Sequence, residues 1–110
     1  MATTVAGAKE PLSIRVSPAF SYAPASLVIH ASVDPDSANR SMEVTADSGG
    51  FYRASMIALE GDHAPKTSRF EFHSLPAGEY EITAAVIGAD GKHRAIARRQ
   101  VNVLESGGAR

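Results

Sequence analysis

An alternation of apolar and polar side chains with a period of two residues constrains this chain most. In LSIRVS, residues 12–17, every second side chain is apolar, and the same pattern recurs in EYEITAAV, residues 79–86. Such alternation places one set of side chains on a buried face and the other set in water. No segment sustains a stripe of 3.6-residue period over three turns. The pattern therefore predicts β-strands and disfavours helices.

Residues that favour turns separate the alternating segments, including Asp-Pro-Asp at 34–36, Asp-Ser-Gly-Gly at 47–50 and Asp-Gly at 90–91. Glycine permits positive φ and proline restricts φ, so each break between alternating segments has a physical cause. The pattern predicts seven strands, at residues 12–17, 26–33, 40–47, 51–60, 67–74, 79–87 and 93–103. Seven short strands with regular turns indicate an all-β, two-sheet antiparallel sandwich.

Side chains that share the inward phase of these strands are expected to form one core. They are Leu27, Ile29, Val44, Ile57, Leu59, Phe70, Phe72, Ile82, Val86 and Val101. The last strand is irregular, because the phase that buries Val101 and Val103 also points Arg99 inward and Ile96 outward. Either a β-bulge near Arg98 restores the register, or Ile96 lies on an exposed face and the strand is an edge.

Length and composition limit the classes of protein that the chain can belong to. A chain of 110 residues is close to the usual size of one domain. We expect the domain to span residues 11–104, between flexible tails at 1–10 and 105–110. The absence of cysteine excludes disulfides and thiolate chemistry. A net charge of −1 argues against nucleic acid as a partner, and no apolar run is long enough for a membrane-spanning helix or a signal peptide.

One short motif points to a known family. Leu75-Pro76-Ala77-Gly78-Glu79-Tyr80 reads L-x-x-G-x-Y immediately before an alternating strand. It resembles the tyrosine corner of fibronectin type III and immunoglobulin-like sandwiches. The resemblance implies that Tyr80 hydrogen-bonds to the backbone just upstream, that Gly78 makes the turn and that Leu75 anchors the core.

The motif, the Asp-Gly turn after it and the final Val-x-Val together are similar to bacterial immunoglobulin-like modules of exported proteins. The third strand has no tryptophan and the chain has no cysteine pair, so it is not an antibody-type domain. The resemblance implies a spacer, adhesion or interaction unit in the periplasm or outside the cell. We accordingly expect a non-catalytic structural or protein-interaction module, without a cofactor, that is a monomer or a weak edge-strand homodimer.

The alternative function is binding of a small ligand or carbohydrate at one end of the sandwich, where three loops are expected to gather. Those loops contain Asp34, Asp36, Asn39, Asp62, His63 and Asp90. Alternate oxygen ligands, as in Asp34-x-Asp36, suit Ca²⁺, but the same residue types are common in turns. We expect ordinary turn residues and no metal site.

Other functional patterns are weak in this sequence. His30 and His73 are expected to be solvated, and no nucleophile motif or phosphate loop is present. The basic residues of the last strand, among them Arg98 and Arg99, favour a charged edge that resists aggregation. A sugar site would need exposed aromatic rings, and Phe51 and Tyr52 are the available pair, at the end opposite the acidic loops.

Overall fold

The computed structural model describes residues 12–105 as an all-β protein with eight strands and one short 3₁₀ turn. The expected tails at 1–10 and 105–110 lie almost wholly outside the described residues. The strands are β1 (Leu12–Ser17), β2 (Phe20–Tyr22), β3 (Ala25–Val33), β4 (Asn39–Asp47), β5 (Tyr52–Ala58), β6 (Thr67–Leu75), β7 (Gly78–Gly88) and β8 (His93–Leu104). The 3₁₀ turn, η1, spans Gly61–His63 between β5 and β6.

The strands form two sheets that pack into a sandwich, as predicted. One sheet has three strands in the order β1-β3-β6, and the other has five in the order β2-β8-β7-β4-β5. The segment predicted at 51–60 is shorter, as β5, and lies beside β4 in the five-stranded sheet. Phe51 and residues 59–60 fall outside this strand.

Strand β2 is a strand that the sequence analysis does not predict, and it adds one parallel pair to a sandwich whose other described strand pairs are antiparallel. This eighth strand pairs in parallel with the end of β8, with Phe20 opposite Asn102 and Tyr22 opposite Leu104. It is only three residues long, between Pro18 and Pro24. A segment of three residues is too short to display a period, so alternation could not reveal it.

The core lies between the sheets and contains the residues that the alternation predicted. Phe70 and Phe72 are buried on β6, and Leu27 and Ile29 are buried opposite them on β3. Nine of the ten predicted residues belong to one buried cluster, and Ile57 packs against it while partly exposed. Residue Ile57 is on β5, at the edge of its sheet, which accounts for its partial exposure.

Of the two explanations for the irregular pattern of β8, a bulge near Arg98 or an exposed position for Ile96, the structure shows the second. The β7–β8 register runs without a break from Tyr80 opposite Val101 to Val86 opposite Ala95, so β8 has no bulge at Arg98. The break in register instead follows Val86, at the start of β8. Ile96 is 44% exposed on the outer face of the five-stranded sheet.

Candidate functional site

The three loops that the sequence analysis singled out do meet at one end of the sandwich. Lys66 Nζ lies 3.0 Å from Asp34 Oδ1, which joins the start of β6 to the β3–β4 loop. Arg94 Nη2, near the start of β8, lies 3.4 Å from Asp36 Oδ2 in the same loop. A Cβ placed on Gly61 of η1 would lie 3.3 Å from Ser37 Cα, so η1 packs directly on this loop. We call this region, formed by residues 34–39, 61–66 and 90–94, the loop end.

Asn39 is the buried polar residue of the loop end, with 4% of its surface exposed. Its Oδ1 accepts a hydrogen bond from Arg94 Nε at 2.9 Å, and its Nδ2 donates to the Asp34 carbonyl at 3.4 Å. Because both ends of the amide are engaged within the protein, Asn39 ties the β3–β4 loop to β8. This arrangement is structural, because it uses both the oxygen and the nitrogen of the amide in contacts within the protein.

The remaining acidic residues of the loop end hold turns or lie in solvent. Asp36 Oδ1 accepts a hydrogen bond from the Ala38 amide at 2.8 Å, and Asp90 Oδ1 accepts one from the Lys92 amide at 3.0 Å. These are the local side-chain-to-backbone bonds that make aspartate common in turns. Asp62 and His63 are exposed neighbours on η1, with 3.7 Å between Asp62 Oδ1 and His63 Nε2.

The loop end encloses a small cleft of about 160 Å³, lined in part by Asp36, Asn39, Val86 and Arg94. Small-molecule sites commonly have volumes of about 300–1,000 Å³, so this cleft is small for one. Over residues 12–105, no group of three or more His, Cys, Asp or Glu side chains could hold a metal ion. The sequence does not predict that Lys66 and Arg94 partly neutralise the aspartates, because only the fold brings these two residues to the loop end.

A larger groove of about 520 Å³ runs beside β1 and β8, and sequence reasoning did not anticipate it. Its polar lining includes Arg15, His30 and Arg99. Ser32 Oγ and Thr67 Oγ1 also line it and lie 3.0 Å apart, in hydrogen-bonding contact with each other. The groove is thus a polar surface with two guanidinium groups.

At the opposite end, the Leu75–Tyr80 segment has the contacts that the motif implied. Tyr80 Oη donates to the Pro76 carbonyl at 2.7 Å, and Leu75 is fully buried. The Phe51 ring packs edge-on against Tyr80 with 6.4 Å between centroids. Burial raises the pKa of the Tyr80 phenol, while hydrogen bonding with Ser48 and the positive charge of Arg53 oppose that increase. These contacts make Tyr80 a structural residue rather than an exposed ligand contact.

Exposed aromatic side chains lie elsewhere than the loop end. Phe20, Tyr22 and Leu104 are 60%, 58% and 42% exposed. The β2–β8 register places Tyr22 directly beside Leu104, with Phe20 two residues away on the same side of β2. We call these three residues the β2–β8 patch. Of the pair considered for sugar binding, Phe51 packs against the core and only Tyr52 is largely exposed.

Comparison with known proteins supports the fold and goes no further. No family model matches the sequence, and no curated protein matches it. Superoxide reductase (neelaredoxin) from Ignicoccus hospitalis superposes with a TM-score of 0.68 at 17% identity, over 86% of this chain and 80% of that one. The CARDB domain of a Pyrococcus furiosus protein, solved in complex with di-metal ions, has a TM-score of 0.52 at 17% identity, over 86% and 94% of the two chains.

A family 76 glycoside hydrolase from a bovine Bacteroides thetaiotaomicron strain also contains this fold, with a TM-score of 0.60 at 16% identity. The match covers 88% of this chain but only 21% of the hydrolase. At such low identity the likeness concerns the β-rich fold alone, and one fold serves many unrelated functions. Among the described residues, no helix is long and apolar enough to cross a membrane.

Proposed function

We propose that this domain is a non-catalytic structural or protein-interaction module. The observation that carries the proposal is the β2–β8 patch, where three large apolar side chains stand exposed side by side. Aromatic residues are enriched at protein–protein interfaces because they bury a large apolar area at low entropic cost. The resemblance to bacterial modules of exported proteins agrees with this role and with a location in the periplasm or outside the cell.

The contacts within the loop end also support the proposal, because they count against a ligand site there. Lys66 and Arg94 pair with Asp34 and Asp36, and the Asn39 amide is engaged at both ends. A ligand that used the same oxygen atoms would have to compete with these contacts. The alternative function, binding of a small ligand or sugar at the loop end, is therefore the weaker of the two.

The test compares two surface variants of the same chain. Phe20→Ser/Tyr22→Ser removes the aromatic rings of the β2–β8 patch, and Ile96→Ser is the control, an apolar residue exposed on the same sheet outside the patch. We expect the wild type and the control to enrich the same partner protein from cell extract, and the double variant to lose it. Binding must then be reproduced with the purified partner.

One result would contradict the proposal directly. Native mass spectrometry before and after chelation, repeated with simple sugars, would reveal a metal or sugar bound to the purified domain. If such binding survives Phe20→Ser/Tyr22→Ser and is lost in Asp36→Ala, the loop end is the functional site.

A further inference from the structure

The outer edge of β5 is the least protected strand edge of the sandwich. Over residues 12–105, β4 is the only strand that pairs with β5, so the opposite edge of β5 is open. Exposed edges in natural proteins are normally blunted by charge, proline, bulges or a covering segment. In β5 the sequence is YRASMIA, with a single charged residue, no proline, no glycine and a continuous register.

The other edges have protection that β5 lacks. Strand β6 has Arg69, Glu71 and His73 on its exposed side, and its regular course is interrupted by Ser74 at φ 61°. Strand β8 is covered by β2 at one end and has Arg98 and Arg99 farther along. Strand β1 lies alongside β8 where the sandwich closes.

The direction of the free backbone groups of β5 follows from its pairing with β4. The Leu59 amide donates to the Arg40 carbonyl at 2.8 Å, and the Phe51 carbonyl accepts from the Ser48 amide at 3.0 Å. Main-chain groups alternate in direction along a strand, so the odd-numbered residues of β5 bond to β4. The N–H and C=O groups of Tyr52, Ala54, Met56 and Ala58 therefore point away from the sheet.

We infer that β5 is a homodimerisation edge, which pairs antiparallel with β5 of a second copy about a two-fold axis at Ser55. This register pairs all four outward-facing residues of each copy, Tyr52 with Ala58 and Ala54 with Met56. Each large exposed side chain thus lies against an alanine. The interface is isologous, as expected for a two-fold dimer, and it joins two five-stranded sheets into one.

Charge also favours this register. On the outer face, Glu43 and Asp47 of β4 lie behind Met56 and Tyr52. In the dimer, each of these two rows of side chains continues across the two-fold axis into the second copy. The row that contains Glu43 continues to Thr45 of the second copy, and the row that contains Asp47 continues to Ser41. No carboxylate therefore faces another. On the inner side, Arg53 meets Ile57 of the second copy, and its guanidinium already contacts the Phe51 ring, 5.1 Å from the centroid.

Disulfide trapping tests the register, because the chain has no cysteine of its own. In this register Ser55 lies opposite Ser55 of the second copy in a non-hydrogen-bonded pair. The two Cα atoms of such a pair lie about 4.5 Å apart, which is within reach of a disulfide. We expect Ser55→Cys to form a covalent dimer under mild oxidation, and Ser13→Cys, an exposed serine on β1, to remain a monomer. Tyr52→Cys mixed with Ala58→Cys should form the mixed dimer in preference to either homodimer.

Sedimentation velocity up to roughly millimolar concentration tests the equilibrium without cysteine. We expect a concentration-dependent dimer whose Kd rises at least about tenfold in Ala54→Pro, since proline removes an outward N–H that β4 does not use. Glu71→Pro makes the same change at the β6 edge, where the Lys66 carbonyl accepts from Val33, and should leave the dimer intact. If Ala54→Pro fails to fold by circular dichroism, Met56→Lys replaces it.

Any of four results would overturn the inference. Three of them are a chain that stays monomeric at every concentration, cross-linking of Ser13→Cys as fast as Ser55→Cys, and a dimer that survives both Ala54→Pro and Met56→Lys. A dimer lost only on substitution of Phe20 and Tyr22 would also overturn it, because association would then occur through the β2–β8 patch.

Discussion

The Tyr80 hydroxyl donates a hydrogen bond of 2.7 Å to the carbonyl of Pro76, four residues earlier in the chain. The bond crosses the turn between β6 and β7 and satisfies the polar end of a buried ring. Both features fit a structural role, and substitutions at and around Tyr80 can test that role separately from binding.

Tyr80→Phe retains the ring and removes only the hydroxyl. We expect the free energy of unfolding to fall by about 1 kcal/mol, and by up to about 3 kcal/mol if the Pro76 carbonyl stays dry. Urea denaturation of the two proteins measures the difference. An unchanged midpoint, or a loss of partner binding at unchanged stability, would contradict the structural role.

Alkaline pH should destabilise the wild type more than Tyr80→Phe. Burial raises the pKa of Tyr80 in the folded protein above the ordinary tyrosine value of 10.0. Because the folded-state pKa is raised, the stability that the neutral phenol contributes is fully present below the unfolded-state pKa. That stability is lost as the pH rises through the folded-state pKa. Urea midpoints measured from pH 8 to about pH 11 should converge for the two proteins. If the gap between them stays constant or widens, the phenol is not buried in its neutral form.

Gly78→Ala should destabilise the protein, and Gly50→Ala should not. A Cβ on Gly78, where φ is 158°, would lie 3.1 Å from Ser48 Cβ, whereas no atom lies within 4 Å of one on Gly50. We expect a loss of about 1–3 kcal/mol for Gly78→Ala, the range found for overpacked sites, and a change of less than about 1 kcal/mol for Gly50→Ala. Equal thermal midpoints for the two variants would show that the turn tolerates a side chain.

The loop end should bind no divalent metal tightly. A Ca²⁺ site requires six to eight oxygen ligands, whereas Asp34 and Asp36 are paired with Lys66 and Arg94. Isothermal calorimetry with CaCl₂ should give no heat of binding beyond that of dilution. Micromolar affinity that disappears in Asp36→Ala would prove this wrong.

The alternation predicted the strands because it indicates directly which side chains become buried on folding. It identified the segments that became β1 and β3–β8, and it placed Phe70 and Phe72 in the core. The position of β5 beside β4 depends on how the whole chain packs, which local periodicity does not report. The Asn39–Arg94 hydrogen bond escaped prediction for the same reason, since it joins residues 55 positions apart.

The parallel pairing of β2 with β8 has a mechanical consequence. If the chain is pulled from both ends, β2 is drawn toward its start and β8 toward its end. Because the two strands are parallel, the load acts along them as shear on bonds such as Ala23 N–H to the Leu104 carbonyl and Asn102 N–H to the Ala19 carbonyl. These bonds must break together rather than one after another. A domain joined to neighbours at both ends would therefore resist extension at this three-residue strand once β1 has been pulled from β3.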